Sequence, residues 1–195
     1  MKDSKLELAL KMAAPYISVG VFWLVFHNGW LAILGYHAQI LWWSRGRLPR
    51  LSRPAWTPLS LLVVPSALVG PVLYFLLPFA SRVDVSAWLI RYQLTGIGLV
   101  VLIFYYGLVN PVLEESHWAP LRERTPLAHV AFAGYHVIIL WSLFPLSWVA
   151  GSFVVLAIVS WLWQRLGRES GSLVPAIVSH AVADFGLIIA AWLLR

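Results

Sequence analysis

A chain of 195 residues with 61% apolar side chains, 11% charged ones and a mean hydropathy of +0.80 has too little polar surface to coat a soluble globule, which typically carries about 25% charged residues. Disorder is excluded too, because that state needs low hydrophobicity and high charge. The lack of cysteine removes disulfides, cysteine-bound zinc and thiol nucleophiles, and the net charge of +6 sits in short segments between apolar runs, where it points to orientation in a lipid bilayer and not to nucleic acid.

The expected fold is all-α: one polytopic membrane domain over 1–195, with about six transmembrane helices and a polar intramembrane cavity. Behind a charged start, MKDSKLELALKMA, a first span covers about Ala14 to Trp43, too long for the apolar core of a secretory signal. SRGRLPRLSRP, with Arg45, Arg47, Arg50 and Arg53, reads as the clearest loop. A second span, about Pro58 to Ala80, carries Pro58, Pro65, Pro71 and Pro78 and is expected to bend. The third covers about Ala87 to Val112, with Arg91 snorkelling inside it. The fourth runs from Leu127 to Val149, the fifth covers Phe153 to Trp163 with an extension at its start, and the sixth runs from Leu173 to Leu194. Eight Lys and Arg residues in the loops at 45–53, 122–124 and 165–168, against five on the other side, lean toward a cytoplasmic location for those loops and an outside N-terminus.

Ionisable side chains within membrane helices cost about 2.5 to 3.5 kcal/mol each on insertion scales, so their positions ask for a reason. Glu114 and Glu115 end the third span, while His136 and His180 fall roughly 12 to 15 Å below the surface that those glutamates approach. Phe132 and His136 share a helix face, as do His180 and Asp184, being four residues apart. His129 lies on the stripe of His136, nearer the loop. Adjacent helical residues point about 100° apart, so only one of Glu114 and Glu115 can face a cavity centre, and the other must cap or pair. His27, Asn28 and His37 fit packing or inter-helix hydrogen bonding, and the tryptophans near span ends, Trp42, Trp43, Trp56, Trp118 and Trp163 among them, read as interfacial anchors.

NPVLEESHW, FAGYH and GSLVPAIVSHAVAD, in that order, resemble the three motifs of the CPBP family of intramembrane proteases, which contains the CAAX prenyl endopeptidases and bacteriocin-processing enzymes. The resemblance covers about 110–187, the part that would hold the catalytic core. It implies an endopeptidase of the glutamic type in which Glu114 and the residue matching His136 activate water, with His180 and Asp184 at the positions that stabilise the oxyanion. Ionised Asp184 would repel that oxyanion, so it is expected to orient His180 instead. The arginine that the family places four residues after the second glutamate is Ala119 here, which leaves Arg122, Arg124 or His117 to partner Glu115.

The resemblance implies a protein or peptide substrate, cut near the surface of a bacterial cell membrane in CAAX-like processing or C-terminal sorting, and no cofactor. The same side chains Glu114, His136 and His180 could instead hold a divalent metal, although no H-E-x-x-H is present. Two further classes compete: a non-catalytic membrane partner or immunity protein of the same fold, and a small transporter with a Glu/His relay.

Overall fold

A computed structural model describes residues 4–44, 52 and 56–195; the arginine-rich loop expected at 45–53 lies almost wholly outside them. Among the described residues every regular element is helical. In chain order these are α1 (Lys5–Gly20, continued by a π-helical turn, Val21–Val25), α2 (Gly29–Ser44), α3 (Trp56–Ala67), α4 (Val69–Ala80), α5 (Val85–Arg91), α6 (Gly96–Leu108), α7 (Asn110–Arg122), α8 (Leu127–Leu140), α9 (Leu146–Ser170) and α10 (Val174–Leu193). Five stretches are long and apolar enough to cross a membrane: Lys5–Val25, Leu59–Ala80, Gly96–Arg122, Leu146–Ser170 and Val174–Leu193; α8 is shorter, at 14 residues. The chain is an all-α polytopic protein whose apolar helices fit a lipid bilayer.

Several expected boundaries move; the fourth span, for one, ends as a helix at Leu140 and not at Val149, which already belongs to the next helix. The first apolar stretch is two helices, broken after the π-turn where His27 takes a positive φ of 47°. Asn28 then caps α2, its side-chain oxygen accepting from Leu31 N–H at 2.9 Å, while Gly29 N–H donates to the Tyr92 carbonyl at 2.8 Å. The expected third span also divides. Asp84 caps the short α5 by accepting from Ala87 N–H at 2.8 Å, and positive φ values at Gln93 (58°) and Gly96 (55°) turn the chain before α6. Arg91 therefore stands on an exposed helix end ahead of the membrane-crossing stretch and does not lie inside it. At the other end the crossing helix does not stop at Val112. Pro111 costs it one backbone hydrogen bond, but as the second residue of α7 it is compatible with a restart. α9, in place of the expected fifth span Phe153 to Trp163, is 25 residues long and ends on Gly171 in the left-handed conformation (φ 63°). The expected bend in the second span is present as the break between α3 and α4 at Leu68.

α10 is the central post, packed against α3, α4, α6, α7 and α9. On its α4 side backbone meets backbone: a Cβ on Gly70 would fall 2.8 Å from the Gly186 Cα, and one on Gly186 would fall 2.7 Å from the Gly70 nitrogen. Small residues permit this approach, which in lipid replaces hydrophobic burial as the source of helix association. The α1 and α2 pair leans on α8 and α7, tied by the Tyr16 hydroxyl donating to the Ala131 carbonyl at 2.9 Å. α8 and α9 form a hairpin that returns to α10.

Candidate active site

Continuation of α7 to Arg122 changes the setting of the two glutamates. Glu115 lies seven residues before the helix end, about 10 Å at 1.5 Å per residue, so the pair sits inside the protein and not at its surface. Glu114 is 1% exposed and Glu115 is fully buried. Their side chains diverge as the 100° rule requires. Glu115 Oε2 accepts from Arg122 Nη1 at 2.7 Å, and the guanidinium lies over the rings of Phe132 (5.1 Å) and Trp163 (5.6 Å). Of the three partners considered for Glu115, Arg122 takes the place, two helical turns along. His117 turns away, hydrogen-bonded through Nε2 to the Lys11 carbonyl at 3.1 Å. Arg122 is thus an internal counter-ion, and the count of loop charges that favoured an outside N-terminus loses one member.

Glu114 faces the other way. The Tyr135 hydroxyl donates to its Oε1 and also lies 3.1 Å from His136 Nε2. His136 is anchored by its second nitrogen, Nδ1, which donates to the Phe132 carbonyl four residues back at 2.8 Å. Glu114 and His136 therefore meet through Tyr135. The other carboxylate oxygen, Oε2, is buried without a hydrogen bond, 3.3 Å from His180 Nε2.

His180 stands among three carboxylates. Its Nε2 faces Glu114 Oε2 at 3.3 Å and Asp184 Oδ2 at 3.5 Å, and its Nδ1 faces Glu115 Oε1 at 3.8 Å. Trp163 stacks on its ring at 4.5 Å and 24° and donates to Ser179 Oγ at 3.1 Å. Asp184 Oδ2 in addition accepts from Asn110 Nδ2 at 2.9 Å. The Asn110 amide is fixed from its oxygen side by His37 Nε2 at 2.9 Å, and His37 Nδ1 meets the Tyr105 hydroxyl at 2.8 Å. His37 thus makes inter-helix hydrogen bonds, as its sequence context suggests, and they support the site from behind. All five singled-out side chains, Glu114, Glu115, His136, His180 and Asp184, come together. His129 does not join them: it faces α9, with Nδ1 2.9 Å from Ser160 Oγ and Nε2 3.0 Å from Gln164 Oε1.

Tyr135, Asn110 and Tyr36 are the site residues that sequence reasoning missed, and two tryptophans were misjudged. Trp118 is fully buried, donating from Nε1 to the Tyr36 hydroxyl at 2.7 Å, and Trp163 is 4% exposed against His180. Both belong to the interior of the site and not to the bilayer interface. Trp42, at 78% exposure, keeps the expected character.

Two hollows flank the glutamate pair. Glu114, Asn110, Tyr135, His136, His180 and Asp184 line one end of a cavity of about 630 Å³. The rest of its wall is mostly apolar, so the polar cavity expected from sequence is an apolar one with a polar end. The wall includes Leu76 of α4, Trp148 and Val155 of α9 and Leu187 of α10, side chains exposed on the outer face of the helices. Glu115 and Arg122 instead line a separate hollow of about 350 Å³ with Ala119, Glu123, Gln164 and Arg168. There Arg168 hydrogen-bonds Glu123 at 2.8 and 2.9 Å and holds its carboxyl below the usual range.

The donor set for a metal at Glu114, His136 and His180 is not convergent: the Tyr135 hydroxyl stands between the first two, and no group of three or more metal-binding side chains is arranged around a common point among the described residues. No family model, no curated protein and no solved structure matches the chain.

Proposed function

We propose that the chain is an intramembrane endopeptidase that hydrolyses a peptide bond of a protein or peptide substrate near the membrane surface, by the water activated by Glu114 and His136 that its resemblance to the CPBP family implies. By the same resemblance it would serve CAAX-like processing or C-terminal sorting in a bacterial cell membrane. The observation that carries this function is the meeting of Glu114 with His180 directly and with His136 through Tyr135, from three helices, at the polar end of an otherwise apolar cavity.

Each side chain has a stereochemically reasonable part. Glu114 Oε2, buried and without a hydrogen bond, is the free acceptor for a proton of the attacking water. His180 Nε2 lies beside it and, when it carries a proton, would donate to the carbonyl oxygen as negative charge develops there. Asp184, which also holds Asn110, would orient His180 and need not touch the oxyanion. Glu115 would have no chemical step, being neutralised by Arg122. The arginine absent at Ala119 is the best support for the non-catalytic class, and the Arg122–Glu115 ion pair weakens that support.

The test needs no prior substrate. Wild type and Glu114→Gln are expressed to equal membrane levels in a bacterial host, and new protein termini in the membranes are mapped by mass spectrometry. Termini that appear with wild type and vanish with Glu114→Gln are expected; identical maps would refute the function. Cleavage by purified protein that survives EDTA and a metal-free preparation would remove the metal-dependent variant.

A further inference from the structure

We propose that Tyr135 relays a proton between Glu114 and His136, acting as a positioning residue whose hydroxyl links the two. Its part in turnover rests on the endopeptidase function above; the proton geometry stands without it.

Donor counting carries the inference. A carbonyl oxygen only accepts, so His136 Nδ1, 2.8 Å from the Phe132 carbonyl, must carry a proton. Nε2 is then protonated only if the ring is a cation. The Tyr135 hydroxyl has one proton, for which Glu114 Oε1 and His136 Nε2 compete, while the Tyr36 hydroxyl, held by the Trp118 indole, hydrogen-bonds with both Tyr135 and Glu114. If it donates to Glu114, the contact with His136 is a hydrogen bond only when His136 is an imidazolium opposite a carboxylate. If it donates to His136, Glu114 must be protonated and donate to Tyr135. The two arrangements hold the same number of protons and differ by two short shifts along one line.

The surroundings keep that line in place. Tyr135 is 3% exposed, its ring parallel to that of Trp118 at 6.0 Å and 6°. It lies 5.1 Å from the ring of Tyr36, which the Trp118 indole holds by its hydroxyl. No hydrogen bond or ion pair joins Glu114 to His136 directly among the contacts described, and the Tyr135 hydroxyl bonds both.

In turnover the steps balance. Glu114 takes a proton from water as the oxygen–carbon bond forms. The carboxyl then turns so that the proton taken on Oε2 faces Tyr135, and passes it to the Tyr135 oxygen while Tyr135 gives its own to His136 Nε2. His136 then gives the proton to the leaving nitrogen as the carbon–nitrogen bond breaks, and the carboxylate and neutral ring are restored. The carbonyl carbon ends as a carboxylic acid and the nitrogen as an amine.

The experiment is a double-mutant cycle read on His136. The full chain is reconstituted in liposomes with 15N-histidine, the His136 signals are assigned by their loss in His136→Gln, and Nε2 protonation is titrated. Glu114→Gln is expected to shift the His136 midpoint by about one pH unit or more, roughly tenfold in proton affinity. In the Tyr135→Phe background the same change should shift it by less than half as much. Equal shifts in both backgrounds overturn the relay. Should Tyr135→Phe fail to fold, 3-fluorotyrosine at 135 keeps ring and hydroxyl but makes the phenol more acidic: a moved midpoint supports the link and an unmoved one overturns it. With a substrate identified from the terminus map, Tyr135→Phe should lower kcat about 100-fold with KM unchanged. A wild-type rate in Tyr135→Phe, where Glu114→Gln is inactive, overturns the relay and leaves the endopeptidase standing. Coupled titration with no cleavage by any variant sinks the endopeptidase and leaves the relay.

Discussion

Glu114 and Glu115 are neighbours in sequence, equally buried, and in opposite circumstances. Glu115 is matched by a guanidinium at 2.7 Å beside a hollow lined by Arg122, Glu123, Gln164 and Arg168. Glu114 has no cationic partner from Lys or Arg in the contacts described; a phenol holds one oxygen, and the other is left to a histidine at 3.3 Å. One peptide unit therefore divides a structural carboxylate from one available for chemistry. Burial does not distinguish them: the identity of the partner does. A guanidinium matches the charge of Glu115, whereas Glu114 meets only a phenol and an imidazole.

The sharpest way to break this contrast is to remove the acid on one side and the guanidinium on the other. Glu114→Gln removes the proton acceptor with little change in shape and is expected to abolish cleavage, a loss beyond about 1000-fold, measured on the mapped termini at equal membrane levels. Arg122→Ala should instead act on the fold. It leaves Glu115 buried and uncompensated, a cost of about 3 to 5 kcal/mol, read as lower thermal stability in detergent and lower membrane abundance. Position 119 lines the same hollow one turn after Glu115, so Ala119→Arg added to Arg122→Ala should recover much of that stability. No recovery would show that the rings of Phe132 and Trp163 are needed by the guanidinium as much as the carboxylate is.

At Asp184 the two effects part in one residue. Asp184→Leu loses contacts with both His180 and Asn110 and should lose activity, while Asp184→Asn keeps an oxygen for Asn110 and should retain much of it. Equal loss in both variants would mean that the carboxylate charge is required. The smallest effect is expected at the α8–α9 clasp: Ser160→Ala removes one hydrogen bond to His129, costs about 1 kcal/mol in thermal stability and leaves cleavage unchanged.

Much of this was legible in the sequence, for reasons particular to each residue. Helical spacing placed His180 with Asp184, and the 100° offset required Glu114 and Glu115 to part. Hydropathy outlined the apolar stretches but smoothed over their interruptions, because the turn at Phe26–Asn28 and the one at Gln93–Gly96 sit between residues as apolar as the helices themselves. Arg122 read as a loop charge since nothing local indicated that α7 continues past Pro120. Tyr135 was invisible for a different reason: a tyrosine in an apolar run is ordinarily packing, and only the partner of its hydroxyl distinguishes it. Trp118 and Trp163 failed the same way, near span ends yet turned inward.

The contact between Gly70 and Gly186 bears on all of this from outside the chemistry. Gly186 follows Asp184 by two residues, so the meeting of bare backbones acts as a datum from which the height and rotation of His180 and Asp184 are measured. A methyl group at either glycine has nowhere to go but between the helices. Displacing α10 by even about 1 Å can cost an enzyme on the order of 100-fold. The tolerance of the polar cluster is thus set where there are no polar atoms at all, and a survey confined to ionisable residues would pass over the position that calibrates them.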